Sequence, residues 1–415
     1  MTGTEGHLGS TDVVIVGGGV GGASLAYALA SAGVGVTLLE GTVEYEDRVR
    51  GESMHAWGVA EARELGVEDV LLAAGAHVAP VWKQYAEGLG QTGEIPMSAM
   101  VPGVEGTLNL HHPTACQALV DAAVEAGATA VRGTRDVKLR FGDPISVSYR
   151  TPRGEGALTS PLVVGADGRN STVRRQVGLT LDRQPAVSHI AGLLVDGLGD
   201  VPDDHDVMVT IAGSNLLLLV FHQGGGRART YLATGVEGRS RFAGREGTRR
   251  FLEACAVSCL PWSDRLVAAE PAGPCATYPG DDTWTAAPYA DGVVLIGDAA
   301  GHNDPIVGQG LSIAMRDARA VRDLVLDGAH RAGDFSSYGA ERVERMRRVR
   351  LIADIVAAAT VEDAANRGAR LGFFGEKMAA MDPELFPLMM GLFAGPETIP
   401  AELVDDRILV QIRNA

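Results

Sequence analysis

Apolar and polar positions along the chain alternate between two periods. Short apolar runs that read as buried strands lie at Asp12 to Val16, Gly35 to Leu39, Val131 to Leu139, Ile145 to Val164 and Val293 to Ile296. Helical periods follow at Ala23 to Ala32, around Ala60 to Leu65, at Thr114 to Ala126 and at Leu311 to Leu326. Between them, Ile190 to Val195, Val207 to Ile211, Leu216 to Phe221 and Tyr231 to Thr234 read as a meander of strands, with a helix near Arg249 to Ser258. From Tyr338 to Arg370 the pattern is helical, with Arg345-Met346-Arg347-Arg348 read as a solvated face. There is no internal repeat. The pattern predicts an α/β fold in discontinuous parts. Residues 1–76, 105–182 and 286–335 make a Rossmann-type domain, 77–104 and 183–285 an inserted antiparallel β-sheet domain, and 336–415 a helical segment.

The glycines give the first domain its chemistry. Gly17 ends the first strand and permits a tight turn, Gly19 lets the backbone approach a diphosphate, and Gly22 lets helix and strand pack closely. Val20 and Gly21 stand in the first turn of the helix, where unpaired N–H groups and the dipole favour an anion. Glu40, about twenty residues on, ends the second strand where a carboxylate accepts hydrogen bonds from an adenosine ribose. Such a βαβ unit serves NAD and FAD equally, and two further segments decide for FAD. Leu295-Ile296-Gly297-Asp298 is a strand running into a corner whose carboxylate suits the hydroxyls of a ribityl chain. Pro305 and Gly308-Gln309-Gly310-Leu311 then open a long helix whose N–H groups suit the pyrimidine edge of a flavin, where the reduced form carries negative charge.

With Val164-Gly165-Ala166-Asp167-Gly168-Arg169 between them, these motifs resemble the class A flavoprotein monooxygenases, the para-hydroxybenzoate hydroxylase-like superfamily, over roughly residues 10 to 350 and with squalene epoxidase-like features. The resemblance implies that Asp167, with Arg169 and Arg174 nearby, serves FAD and pyridine nucleotide. It implies that Arg48, in the run leading to Glu52-Ser53, touches the cofactor, and that Leu110-His111-His112-Pro113 and Gln117 line it. Gly41 and Val137 complete the cofactor set. His55, three residues past Glu52, is the one candidate for a catalytic role at the flavin edge. Thr114 and Gly41 stand where relatives carry basic residues, and Gly301-His302 replaces a direct Ala-His. The implied activity uses NAD(P)H and O2 to hydroxylate or epoxidise a small organic, biosynthetic substrate through a flavin C4a-hydroperoxide. Little acid–base machinery is then required. A reductase or dehydrogenase of the geranylgeranyl reductase type shares the motifs. A flavin halogenase is disfavoured because no WxWxIP run occurs.

Composition narrows the partners. A net charge of −16 over 415 residues gives no basic surface for nucleic acid. Met1 to Ser10 has no apolar leader core, and no run of eighteen apolar residues occurs, so a cytoplasmic protein without a membrane span is expected. Cys116, Cys255, Cys259 and Cys275 lack metal spacing and read as buried thiols, with no metal site. Trp57 and Trp82 read as pocket wall. His111, His112 and His302 fall in pocket-facing segments, and each is either structural or catalytic. The tail, rich in Met and Phe from Phe373 to Phe393, either lines the pocket or packs on a second subunit, which leaves a homodimer open.

Overall fold

The computed structural model describes residues 9–415; of the polar N-terminal segment, the first eight residues lie outside the described residues. In chain order, strand β1 (Val13–Val16), helix α1 (Val20–Ser31) and β2 (Val36–Glu40) form the opening unit. Helix α2 (Ala56–Glu64), the hairpin β3 (Val81–Ala86) and β4 (Gly90–Pro96), α3 (His112–Glu125), β5 (Thr129–Arg132), β6 (Leu162–Gly165) and the short α4 (Thr172–Gln176) follow. The meander is β7 (Asp182–Asp196), β8 (His205–Ile211), β9 (Leu216–His222) and β10 (Ala228–Gly235), then β11 (Ala276–Trp284). After β12 (Tyr289–Ala290) and β13 (Val293–Leu295) come α5 (Gly310–Leu326), α6 (Ser336–Thr360), α7 (Arg367–Ala379), α8 (Leu385–Ala394) and α9 (Arg407–Asn414).

One sheet has the order β12-β13-β6-β1-β2-β5 and is parallel except for the β12–β13 edge. Helices α1, α3 and α5 cover one face, and on the other Val14 and Val16 pack with Ile145, Val147 and Leu158 of a small four-stranded sheet that includes Ile145–Thr151 and Gly154–Ser160, so β1 is Val-Val-Ile-Val without a polar position, every residue buried. Helix α1 is rich in alanine because it lies against β2, α3 and α5 at once and has room for little else. A second, eight-stranded sheet carries β7, β10, β9, β8, β3 and β4 in that order, with Glu270–Pro271 and β11 both on β7. It is antiparallel apart from one parallel join, β3 to β8, which stitches residues 81–96 onto the meander.

Several expectations need correction. β11 was not foreseen: Asp281 and Asp282 interrupt its apolar run, yet both are buried. The run Tyr338 to Arg370 is two helices, because Asp363 accepts the N–H groups of Ala365 at 3.0 Å and Asn366 at 3.3 Å and turns the chain. Of Arg345-Met346-Arg347-Arg348, only Arg347 is exposed as a solvated face would be. Met346 and Arg345 are buried, Arg347 donates to Val404 O at 2.6 Å, and Arg348 to Pro396 O at 3.0 Å and Ile399 O at 2.6 Å. The tail that follows α6 leaves carbonyls there that only long cations reach. Cys116 and Cys255 are buried as expected, but Cys259 and Cys275 are half-exposed. The tail itself packs inward: Leu388 and Phe393 of α8 join Ile352 and Ile355 of α6 against Trp82, Leu217, Leu219 and Phe221 of the second sheet. No described helix is long and apolar enough to cross a membrane.

Candidate functional site

Four neighbouring strands end level with one another. Leu39 is opposite Val16, Val16 opposite Gly165, and Gly165 opposite Leu295. The ladder carries on one residue further, from Gly17 N–H to Leu39 O at 2.8 Å, Ala166 N–H to Val16 O at 2.8 Å and Ile296 N–H to Gly165 O at 3.0 Å. All three motifs therefore leave the same edge, at the point where connections from β1 diverge to either side, which is where parallel sheets open a crevice. Gly17 has φ +109°, and a Cβ there would meet Ala166 O at 2.3 Å; one on Gly22 would meet Gly17 O at 2.0 Å. Those two glycines close the turn. Gly19 and Gly310 are different, since a Cβ on either would meet nothing within 4 Å. They cap or open the helices α1 and α5, whose first turns no side chain caps and which lie side by side, Gly21 being 3.3 Å from Ala314 by the same measure. Two helix N-termini thus point free N–H groups into one opening.

At one end, Glu40 is buried and accepts the N–H groups of Gly18 and Thr42, each at 2.5 Å, which leaves lone pairs on both oxygens. Tyr45 donates to Gly18 O at 2.5 Å, and the Arg132 guanidinium lies 4.4 Å over its ring. Arg132 also donates to Thr42 O at 2.9 Å, Val43 O at 2.7 Å and Gln117 Oε1 at 3.3 Å. Arg48 is exposed, its carbonyl taken by the Tyr278 hydroxyl at 2.6 Å, and Gly41 is exposed beside Thr134 O. Burial pushes the Cys116 thiol up to about 12 between Glu40, Arg132 and Arg48. Glu40, Gly41, Arg48 and Gln117 are therefore gathered around the start of α1. Val137 lies apart from them on the strand Arg135–Arg140 of the small sheet, its carbonyl accepting the Gln176 amide at 3.0 Å. Tyr45 and Arg132 were missed by sequence reading, Arg132 because it arrives from a strand about ninety residues away with no motif around it.

At the other end, Asp298 faces Arg169 at 3.3 Å. Asp167 caps α4, accepting from Thr172 N–H at 2.6 Å and Val173 N–H at 3.2 Å, while its buried Oδ1 has no partner. Arg174 of the same motif donates to Ala299 O at 2.7 Å, so the middle motif braces the late one. Pro305 begins a single turn that ends at Gly308, where φ is +63° and a Cβ would stand 3.2 Å from His55 Nε2. His55 Nε2 bonds Val307 O at 3.1 Å, its ring packs against Trp82 and Phe393, and burial lowers its pKa to about 4. His55 supports the loop from behind. Leu311 is buried, and Gln309 is buried too, at 2% exposure. Its amide donates to Val307 O at 3.0 Å and Leu392 O at 3.2 Å, and its oxygen accepts Trp57 Nε1–H at 2.8 Å. A carboxylate at 309 would face two carbonyl oxygens in place of donating to them. Trp57 is accordingly a strut for Gln309. The other histidines are engaged as well, His111 with Thr114 at 2.7 Å, His112 with Gly51 O at 3.1 Å and His302 with Thr283 at 2.9 Å.

One buried network escaped the sequence. Glu52 accepts the Tyr231 hydroxyl, and Arg229 lies 2.7 Å from Asp47 and 3.3 Å from Glu52, with its Nε and Nη1 unpartnered. Burial, only partly offset by Arg229, pushes Glu52 up to about 7. Its members lie about 180 residues apart, so no spacing betrays them.

FAD suits this crevice. The open space over Gly19 and Gly310, the free lone pairs of Glu40 and the orphaned Asp167 oxygen are what a dinucleotide with a diphosphate, a ribose and a flavin ring would engage. Comparison with known proteins agrees. The model of the FAD binding domain family matches residues 10–351. Squalene monooxygenase SE1 of Panax ginseng is 26% identical over 77% of this chain and 59% of its own length, so the chain spans about six tenths of that relative. Digeranylgeranylglycerophospholipid reductase 2 of Methanothermobacter thermautotrophicus is 26% identical over 76% of this chain and 78% of its own length. The solved structure of p-nitrophenol 4-monooxygenase PnpA from Pseudomonas putida DLL-E4 has the same fold, with a TM-score of 0.70 at 19% identity over 97% of this chain and 98% of the other. With its three motifs on one strand edge and a family match over most of its length, the chain belongs to the FAD binding domain family, among the para-hydroxybenzoate hydroxylase-like flavoproteins.

Proposed function

We propose that the chain is an FAD-dependent monooxygenase that takes electrons from NAD(P)H and uses O2 to hydroxylate or epoxidise a small organic substrate. The observation that carries this reading is the pairing of an open helix N-terminus at Gly310 with an apolar wall. Trp82, Phe221 and Tyr231 of the second sheet pack against Ile306 and Val307 on the loop that leads into α5. Bound FAD supplies the passage of electrons from nicotinamide to O2 and the delivery of one oxygen atom. The chain supplies the rest. The first turn of α1 would hold the diphosphate, Glu40 the ribose and Asp298 the polyol, and the free N–H groups at the α5 N-terminus would face the pyrimidine edge of the ring. Trp82, Phe221 and Phe393 keep water from the reacting face. His55 is neutral at physiological pH and already bonded, so we assign it to positioning and not to proton transfer. Glu52 and Tyr231 are the buried pair able to hold a proton near pH 7 beside Arg229.

A reductase acting on an isoprenoid is the second reading, favoured by the archaeal relative, which matches over a larger share of its own length than the squalene monooxygenases do. Purified protein is expected to be yellow and to accelerate NAD(P)H oxidation with some member of a panel of phenols and isoprenoid alkenes. Product formed under 18O2 should carry the label. Unlabelled product, or turnover without O2, moves the assignment to the reductase.

A further inference from the structure

The Gly297–Gly301 turn that carries Asp298 is held from outside the parallel sheet. The turn is a short 3-10 helix, Gly297–Ala300, entered at φ +56° on Gly297 and left at φ +114° on Gly301, and its carbonyls, of which Asp298 O takes Gly301 N–H at 3.2 Å, have lone pairs for further donors. Arg342 of α6, 2% exposed, supplies them: Nη1 donates to Ala300 O at 3.0 Å, and Nη2 to Gly297 O at 3.1 Å and Gly301 O at 3.0 Å. Its Nε donates at 2.9 Å to Asp317 of α5, whose same oxygen accepts Gly297 N–H at 2.8 Å. Arg345 completes a buried triad, donating to the other Asp317 oxygen at 2.6 Å, but it touches none of the turn's carbonyls. One helix turn above the clamp, the Tyr338 hydroxyl donates to Leu295 O at 2.8 Å, fixing the same strand end. Only a planar fork with five donors can satisfy three carbonyls and a carboxylate at once.

We infer that Arg342 is a positioning residue for the FAD site, fixing the turn so that the Asp298 carboxylate faces the ribityl chain; this rests on the FAD reading above. The argument separates Arg342 from Arg345. Both neutralise Asp317, and losing either leaves a buried carboxylate half paired, so both contribute to the stability of the fold. Of the two, only Arg342 reaches the carbonyls of the turn that carries Asp298. A bound group loosens when the support behind its ligand is removed, commonly by about tenfold or more.

The test compares wild type, Arg342→Met, Arg342→Lys and Arg345→Met as full-length proteins stripped of flavin. FAD is titrated by its fluorescence quenching, and thermal unfolding of each flavin-free protein is followed by circular dichroism. Arg342→Met and Arg345→Met are expected to lower the flavin-free Tm alike. The Kd for FAD should rise about tenfold for both Arg342 variants and less than about threefold for Arg345→Met. Lysine keeps the charge opposite Asp317 but cannot span three carbonyls, so Arg342→Lys carries the test if Arg342→Met fails to fold. Equal Kd changes in Arg342→Met and Arg345→Met, or wild-type affinity in Arg342→Lys, would overturn the inference alone. A wild-type chain that takes up no FAD overturns the cofactor reading and the inference with it.

Discussion

The two sheets reach the crevice in opposite ways. The parallel sheet offers backbone: strand ends, helix N-termini and glycines whose missing Cβ atoms make the space. The eight-stranded sheet and the C-terminal helices offer side chains, Tyr231 and Arg229 toward Glu52, Phe393 toward His55, Arg342 toward the Asp298 turn. A backbone site depends on what a residue lacks and is written within a few consecutive positions. A side-chain site depends on what several distant residues carry, and a change at one of them strands a partner elsewhere. Backbone sites should therefore fail by steric exclusion and side-chain sites by loss of stability.

Gly22→Ala should have the largest effect. Its Cβ would stand 2.0 Å from Gly17 O, a backbone atom that cannot give way, so a loss of about 4 kcal/mol or more is expected, seen as insoluble protein or a collapsed urea midpoint. A stable, FAD-loaded Gly22→Ala protein would break the comparison at its root. Gly19→Asp, three residues earlier, should separate binding from folding. Its Cβ meets nothing, and an acid is a good N-cap at φ −70° and ψ −177°, so flavin-free stability holds within about 1 kcal/mol. FAD affinity should nevertheless fall by more than about a hundredfold because two negative charges meet at the diphosphate. Retained yellow colour would remove the diphosphate from that spot.

On the side-chain half, Gln309→Glu is expected to cost about 2–4 kcal/mol, since the new carboxylate would face Val307 O and Leu392 O in place of donating to them. An unchanged urea midpoint would show that α8 is not docked on this loop. The smallest effect is a pH dependence. Burial and the neighbouring Asp304 raise Asp282 to about 7, and burial raises Asp304 to about 6. With folded pKa values above those of the unfolded chain, the folded state holds the extra protons. The stabilisation is complete below about pH 4 and is lost as pH rises through 6 and 7. Between pH 6 and 8 the loss from Asp282 is about 1 kcal/mol, and Asp282→Asn, which keeps the acceptor for Asn303 and Asp304, should flatten that part of the Tm–pH curve. A wild-type Tm that climbs from pH 6 to 8 would count against two buried protonated carboxyls.

What could be read in advance follows the same division. Gly17, Gly22, Glu40, Asp298 and Gly308 were legible because each is needed by a local turn or strand end, and the structure sets them on one edge. Strand β11 was not, because burying Asp281 and Asp282 depends on Arg183, His302 and Asn303, none of which lies in the strand. Arg345 and Arg348 looked like surface because a run of cations on a helix usually is, and their partners come from α5 and from the segment after α8. His55 was placed near the flavin loop by its offset from Glu52. Its supporting part could be seen only once Val307 and Phe393 stood beside it.

The single parallel join between β3 and β8 also sets a timetable. The β3–β4 hairpin leaves the ribosome with the outer edge of β3 unpaired, and the strand that covers it, His205–Ile211, is made more than a hundred residues later. At about 5–20 residues per second the nascent chain carries that bare edge for roughly ten seconds. An uncovered strand edge is a template for the wrong neighbour, and Glu94 opposite Lys83 places opposite charges on the hairpin meanwhile. A ribosome stalled before residue 205 would release a chain whose hairpin is complete and whose sheet does not yet exist.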